Sequence, residues 1–271
     1  MINPLRYFKE LLFMFLRIPF IRRRVIFELR QNYKEELSCK FRIRPAGLQC
    51  CIYPDSSGDV FPEIFLLGEY ASILEAELPK RWIDIGCNAG YFSLWLIDLL
   101  KQKDPSADFS ALLIDADSRA KKKIEDMVRL NDLQEQIIFR HGAISCAKDY
   151  VEFFENVEPN KSSIVEADVR LHGAVKRVPV LTAAEIAEAF PSPYDLVKLD
   201  IEGAEADFIK CYDPVLLNCK YLIFEAHAFP VDRMLVSNCK MILADKGFIL
   251  LKEQKMSCER AVILFYKNSR F

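Results

Sequence analysis

No stretch of these 271 residues is apolar for long enough to cross a bilayer, no C-x-x-C occurs among nine cysteines, and no net positive charge marks the chain as a polyanion binder. Each absence removes a class of function. The longest apolar run near the N-terminus, Leu11 to Leu16, falls far short of the roughly 20 residues of a spanning helix. Arg17 and Pro19 interrupt the apolar character beyond it, and Arg22, Arg23 and Arg24 stand where a cleaved signal would carry small residues. Without paired cysteine spacings the thiols read as free, in a reducing, cytoplasmic setting, with Cys211, Cys219 and Cys239 as small buried hydrophobes. The formal charge is −2, and the body of the chain has no basic stripe of the kind that nucleic-acid binding requires. Repeats and low-complexity tracts are also lacking.

The charge that is present lies unevenly. Residues 1 to 45 hold eleven Lys/Arg against four Asp/Glu, or +7, and the remainder holds 26 against 35, or −9. A basic, aromatic-rich helical segment at 1–34 is expected from this. Two placements stay open for it: peripheral contact with an anionic membrane through residues 1–30, with Phe8, Leu12, Phe15 and Phe20 inserted, or packing on its own domain or a second subunit. Residues 35–78, punctuated by Pro45, Pro54, Gly58, Pro62 and Gly68, read as a lead-in of short strands and turns.

From residue 79 onward, apolar runs of strand length alternate with longer amphipathic segments. "RWIDIG", "FSALLIDA", "QIIFRHGAIS", "YDLVKLDI" and "KYLIFEA" are the runs, and "SRAKKKIEDMVRLN" is typical of the segments between them. Alternation of this kind predicts βαβ units around a mostly parallel sheet. The last two runs, "FILLKE" and "RAVILFYK", are separated by a loop alone and predict an antiparallel hairpin at the sheet's end. A β-rich insert is expected at about 148–180.

The first strand runs into D-x-G-x-N-x-G, from Asp84 through Gly86 and Asn88 to Gly90. A dinucleotide fingerprint would carry glycine at the position of Asn88, so that a pyrophosphate could approach the helix N-terminus. Asn88 crowds a pyrophosphate, and Asp84 would repel one while attracting an ammonium group. A nucleoside with a zwitterionic amino-acid tail fits better, which points to S-adenosylmethionine. Asp115 ends the next strand, 25 residues past Gly90, where a carboxylate can accept both ribose hydroxyls; Asp117 is placed to cap the helix that starts near Ser118. Gly142 and Ala143, after the third strand, let backbone lie against an adenine edge. Farther on, Asp200 and Glu202 arrive at the end of "YDLVKLD", and Glu225 and His227 at the end of "KYLIFEAH", two residues apart and so on one side of an extended chain.

"WIDIGCNAGYFSLWL", "LLIDAD", "GAIS", "VKLDIEGAE" and "IFEAH", in that order and spacing, resemble the FkbM family of S-adenosylmethionine-dependent methyltransferases. The resemblance implies a Rossmann-like, seven-stranded, mostly parallel sheet with an antiparallel last strand, the class I methyltransferase fold. It also implies O-methylation of a hydroxyl on a sugar, glycolipid or natural product. By position, Asp84, Gly86 and Asn88 would line the methionine end of the cofactor, with Cys87, Gly90 and Tyr91 in the same loop and helix start. Asp115 and Ala116, which replace the family's usual Glu-Pro, would border the ribose, and Asp200, Glu202, Glu205, Glu225 and His227 match its acidic and E-x-H signature. Methyl transfer to oxygen needs a base, and His227, with an ordinary pKa of about 6.5, suits that role. Asp200 is the rival, acting directly or with Glu202 and Glu225 on a divalent cation that is not the favoured reading. Two other readings are an NAD-dependent oxidoreductase, which Asn88 disfavours, and a cofactor-binding module without catalysis.

Overall fold

The apolar runs assemble as the alternation requires. The computed structural model describes residues 40–42, 47–53, 57–71, 73–74, 77–147, 149–155, 174–201, 203–227, 233–255 and 261–271. The N-terminal segment 1–34, Glu202, and the greater part of the 148–180 insert lie outside the described residues.

A short antiparallel pair, β1 (Lys40–Arg42) and β2 (Gln49–Cys51), is followed by helix α1 (Ser57–Pro62) and one π-helical turn, Glu63–Leu67. The main domain then runs β3 (Arg81–Ile85), α2 (Tyr91–Lys103), β4 (Ser110–Asp115), α3 (Ala120–Leu130) and β5 (Ile137–His141). A hairpin, β6 (Tyr150–Glu155) with β7 (Ala174–Pro179), stands apart from the sheet. The second half continues through α4 (Ala183–Ala189), β8 (Tyr194–Leu199), α5 (Glu205–Cys211), α6 (Asp213–Leu216), β9 (Cys219–His227), α7 (Arg233–Asp245), β10 (Phe248–Lys255) and β11 (Ala261–Asn268).

The sheet order is β10-β11-β9-β8-β3-β4-β5. β3, β4, β5, β8 and β9 pair in parallel, and β11 runs antiparallel to both β9 and β10, so a single strand is reversed. The chain steps outward from β3 in one direction through β4 and β5 and in the other through β8 and β9. The crevice between β3 and β8 is therefore the topological switch point, where ligands of open α/β sheets bind.

Two cores cover the faces. One packs α2, α3 and the lead-in against Trp82, Leu113, Leu196 and Ile223. The other packs α4 to α7 against Ile83, Leu112, Val197 and Phe224. Helix α2 is apolar on nearly every side because it is enclosed by sheet, α3 and lead-in together. Helix α3 buries Ala120, Ile124 and Met127 at helical spacing and turns most of its charge outward. The lead-in is tied down by Asn131, whose side chain exchanges hydrogen bonds with the Gln49 backbone at 2.7 and 2.9 Å.

The cysteines depart from the expectation that all of them are free. Cys146 and Cys211 form a disulfide, their Cα atoms 5.7 Å apart and 65 residues apart in sequence. Cys87, Cys219 and Cys239 are free thiols, as expected. The pairing was invisible in sequence because it depends on the loop after β5 meeting the end of α5, which Asp207 brings about by accepting from Ser145 Oγ and the Cys146 amide, both at 3.0 Å. Cross-linking a loop of this length constrains the unfolded chain. Cys146→Ser is expected to cost about 2–4 kcal/mol in urea unfolding under non-reducing conditions, and an unchanged midpoint would count against the bond.

Candidate functional site

The site begins with the turn after β3. Gly86 and Gly90 have φ of +78° and +73°, and Asn88 between them has φ of +49°, a left-handed value that asparagine tolerates better than most residues. Three left-handed residues at alternate positions fold the loop back on itself. The Gly86 and Cys87 amides both donate to the Ile114 carbonyl at 2.9 and 3.1 Å, which ties the loop to β4. Gly86 has a second reason to lack a side chain, since a Cβ there would lie 1.6 Å from the Asp200 carbonyl oxygen. The glycine is thus the contact point between the two halves of the switch-point crevice.

Asp115 closes the loop from the other side. Its carboxylate accepts the Asn88 amide at 2.7 Å and the Asp117 amide at 2.8 Å. Burial pushes this carboxyl up to about 7, against the pull of those two amides. A carboxylate has about four lone-pair sites, so two bonds to backbone leave capacity for two hydroxyls. Asp117 does not cap the next helix as expected: it accepts the Arg119 amide at 2.9 Å and pairs with the Arg119 guanidinium, closing the turn before a helix that begins at Ala120 and has Arg119 at its N-cap. Gly142 and Ala143 follow β5, with the Gly142 amide donating to the Asp115 carbonyl at 3.0 Å. Tyr91 points away from the loop and donates to the Cys51 carbonyl at 2.8 Å, which fastens the lead-in to α2. The Cys87 thiol is buried and held protonated, its pKa well above the ordinary value through desolvation and the nearby Asp115.

At the bottom of the crevice lies a residue that sequence reasoning passed over. Lys198, the next-to-last residue of β8, has a side chain 4% exposed. Its ammonium donates to Asp200 at 2.9 Å and stands 3.8 Å from Asp84 and 3.9 Å from Glu225. The register explains the gathering: Asp84 is the Cα partner of Lys198 across β3 and β8, Ile223 is its partner on β9, and Glu225 lies two residues past Ile223 on the same face. Asp84 also accepts from Ser93 Oγ at 2.7 Å, and Ser93 accepts in turn from the Trp82 indole at 3.0 Å. Burial raises the Asp84 pKa while Lys198 opposes the rise, and the surrounding carboxylates raise the Lys198 pKa despite its desolvation. Asp84 is therefore engaged inward, one layer beneath the rim, and Asp200 is the open end of the cluster at 26% side-chain exposure. A signal existed: an ionisable residue in a central parallel strand, two residues before a rim carboxylate, is rare without a partner.

Beyond Asp200 the chain turns at Gly203, whose φ of +109° and amide bond to Glu205 Oε2 at 2.9 Å bring it into α5. Glu205 is buried in this loop-closing role. His227 is the last residue of β9, paired with Ala261 on β11, and its side chain lies outside the described residues, as does Glu202. Among the described residues no group of three His, Cys, Asp or Glu is placed to hold a metal ion.

A seven-stranded sheet with one reversed strand, a glycine turn at its switch point and a carboxylate ending the neighbouring strand define the class I fold of S-adenosylmethionine-dependent methyltransferases. Within that class the chain belongs to the FkbM methyltransferases, since the family model for the methyltransferase FkbM domain matches residues 84–250. No curated protein matches the chain. Among solved structures it is similar to fibrillarin of Aeropyrum pernix in complex with natively bound S-adenosyl-L-methionine, at 11% identity over 74% of this chain and 73% of that one, with a TM-score of 0.47. It is also similar to precorrin-6y C5,15-methyltransferase of Geobacter metallireducens, at 12% identity over 75% and 88%, with a TM-score of 0.45.

The residues present fit the donor. Asp200 brings a carboxylate, 26% exposed at its side chain, to the rim beside the glycine loop, where a ligand's positive charge would be received. Asp115 keeps acceptor capacity for a ribose. Gly86→Ala is expected to abolish donor binding in calorimetry and to lower thermal stability, because its Cβ collides with backbone rather than with a flexible side chain; a variant that binds like wild type would contradict this contact.

Proposed function

We propose that the protein O-methylates a hydroxyl group on a sugar, glycolipid or natural product, with S-adenosylmethionine as donor. The observation that supports this most is the Lys198–Asp200 pair at the switch point, which presents a fixed, partly open carboxylate where the β8 strand ends beside the glycine loop. When bound, the donor supplies an electrophilic methyl group, so the chain must add alignment and removal of a proton.

Alignment falls to the rim. Asp115 accepts the ribose hydroxyls, the 86–90 loop takes the methionine part, and Asp200, held by Lys198, accepts a hydrogen bond from the acceptor hydroxyl and orients its oxygen. The proton passes to His227, which stands at the end of the strand adjacent to β8. Asp200 as base is the second reading, favoured by its exposure at the rim and disfavoured by its hydrogen bond to Lys198. Acceptor contacts come from the lead-in and the insert. The basic segment 1–30 would then hold the enzyme near an anionic membrane bearing a lipid-linked acceptor.

Calorimetry with S-adenosylmethionine and with NAD tests the donor. Binding of the former alone is expected, and a preference for NAD would overturn the reading. Because the free Asp115 carboxyl titrates at about 7 and its ionised form is the better acceptor, donor affinity should rise about tenfold between pH 6 and pH 8 and then level off. Asp115→Asn should flatten that dependence. For the chemistry, release of S-adenosylhomocysteine is measured over a panel of glycoside and lipid hydroxyls. His227→Ala should lose about 100-fold or more in turnover while keeping donor affinity within about threefold; full turnover would move the base to Asp200.

A further inference from the structure

The β10 edge of the sheet carries apolar side chains in water. Phe248 is buried, but the three residues after it, Ile249, Leu250 and Leu251, are 54%, 40% and 51% exposed. Neighbouring side chains of a strand point to opposite faces of the sheet, so exposure of both Ile249 and Leu250 leaves the two faces open at this edge. Helix α7 runs alongside, since the Lys240 ammonium stands 2.8 Å from Glu253, and the next residue, Met241, is exposed. The chain after β11 returns to the start of the same strand, where the Ser269 amide donates to the Gly247 carbonyl at 2.9 Å, and Phe271 two residues on is exposed as well. Five large apolar side chains thus lie on or beside one edge, whereas exposed apolar residues are ordinarily scattered singly.

The charge around this edge is positive. Residues 248–271 hold five Lys/Arg against two Glu, or +3, whereas residues 46–247 hold 21 against 33 Asp/Glu, or −12. Lys252 follows the apolar triplet directly, Lys255 ends the strand, and Lys267 is the partner of Ile249 across β11. A second copy could pair with such an edge strand to strand, or a lipid surface could receive it. Strand pairing is opposed by the bulge between Leu250 and Lys252 and by the lysines on the strand, which are devices that blunt sheet edges. It would also satisfy the backbone while leaving Ile249 and Leu250 on opposite faces of the widened sheet, still in water. A bilayer interface takes apolar side chains from both faces of an edge at once and draws the flanking cations to anionic headgroups.

We infer that the β10 edge is a membrane-docking surface, which sets Ile249, Leu250 and Leu251 into the headgroup region of an anionic bilayer while the sheet stands edge-on. This contact is separate from the one proposed for residues 1–30, and it does not rest on the methyl-transfer reading. β10 and β9 are both antiparallel to β11, so the Lys255 end of β10 lies on the same side of the sheet as the rim. The order β10-β11-β9-β8 puts β8 three strands in from the edge, about 14 Å at ordinary strand spacing. Docked in this way, the rim opens along the membrane surface above the headgroups, where a glycan carried on a lipid extends.

The test is co-sedimentation of the full chain with phosphatidylcholine vesicles, with and without phosphatidylserine, on wild type and on the double variant Ile249→Ser, Leu251→Ser. Both residues are exposed and the change is uncharged, so the basic flank and residues 1–30 keep their charge. Wild type should bind the phosphatidylserine vesicles, less so at high salt, and the double variant should bind them about tenfold more weakly. A further variant, Leu251→Trp, reports the contact itself: its emission should shift to the blue when vesicles are added, while wild type, in which Trp82 and Trp95 are buried, changes little. Equal binding by wild type and the double variant, or a Leu251→Trp emission that vesicles leave unchanged, assigns membrane contact to other residues and overturns the docking edge. Absence of vesicle binding by wild type overturns it too, and a wild-type dimer in sedimentation velocity that the double variant disperses would then make the edge an interface between copies. Calorimetry with S-adenosylmethionine should give the same affinity for wild type and the double variant, which separates a failure here from a failure of the donor reading.

Discussion

The ammonium of Lys198 holds the centre of this structure together. Among the described residues it is the one cation shared by Asp84, Asp200 and Glu225, each supplied by or adjoining a different strand, and it is sealed from solvent by the sheet and by Phe92 of α2, whose ring centroid lies 5.6 Å away. Buried charges of this kind add little net stability compared with a well-packed apolar core, but removing one partner leaves the rest uncompensated at a cost of about 3–5 kcal/mol. The cluster therefore acts on specificity: β3, β8 and β9 are held in the one register that brings all four groups into contact. A slip by one residue would turn the carboxylates to the other face, into the core formed by α4 to α7.

Everything at the rim inherits that register. With β3 and β8 aligned, the Asp200 carbonyl sits where only glycine fits at position 86, and the Gly86 and Cys87 amides reach Ile114 on β4. With β3 and β4 aligned, Asp115 reaches the Asn88 amide. The turn at the switch point is consequently assembled from backbone contacts that leave little freedom.

Much of this was legible in the sequence. The strands of the sheet, the turn at Gly86–Gly90, the carboxylate at Asp115 and the closing β10–β11 hairpin all follow from local patterns: period, turn chemistry and the spacing of Asp from Gly. The features that escaped depend on contacts between distant segments. Lys198 looked like one polar residue in an apolar strand, and only the register with Asp84 and Ile223 makes it a shared cation. Cys146 and Cys211 meet through the Asp207 hydrogen bonds. Asp84 was legible as an acidic residue near the end of the first strand, but its burial and its bond to Ser93 were not, because they depend on α2 packing over the sheet. The helical turns at 57–67 lie in a stretch whose prolines and glycines suggested strands and turns, because Phe61 and Ile64 gain a buried face against α2 that outweighs local propensity.

The most direct measurement is a crystal structure of the protein with S-adenosylhomocysteine. The ribose hydroxyls should lie on Asp115, the adenine beside the Gly142–Ala143 backbone, and the sulfur should face Asp200 at the mouth of the β3–β8 crevice. A nucleoside bound elsewhere, or a sulfur turned away from the Lys198–Asp200 pair, would contradict the account.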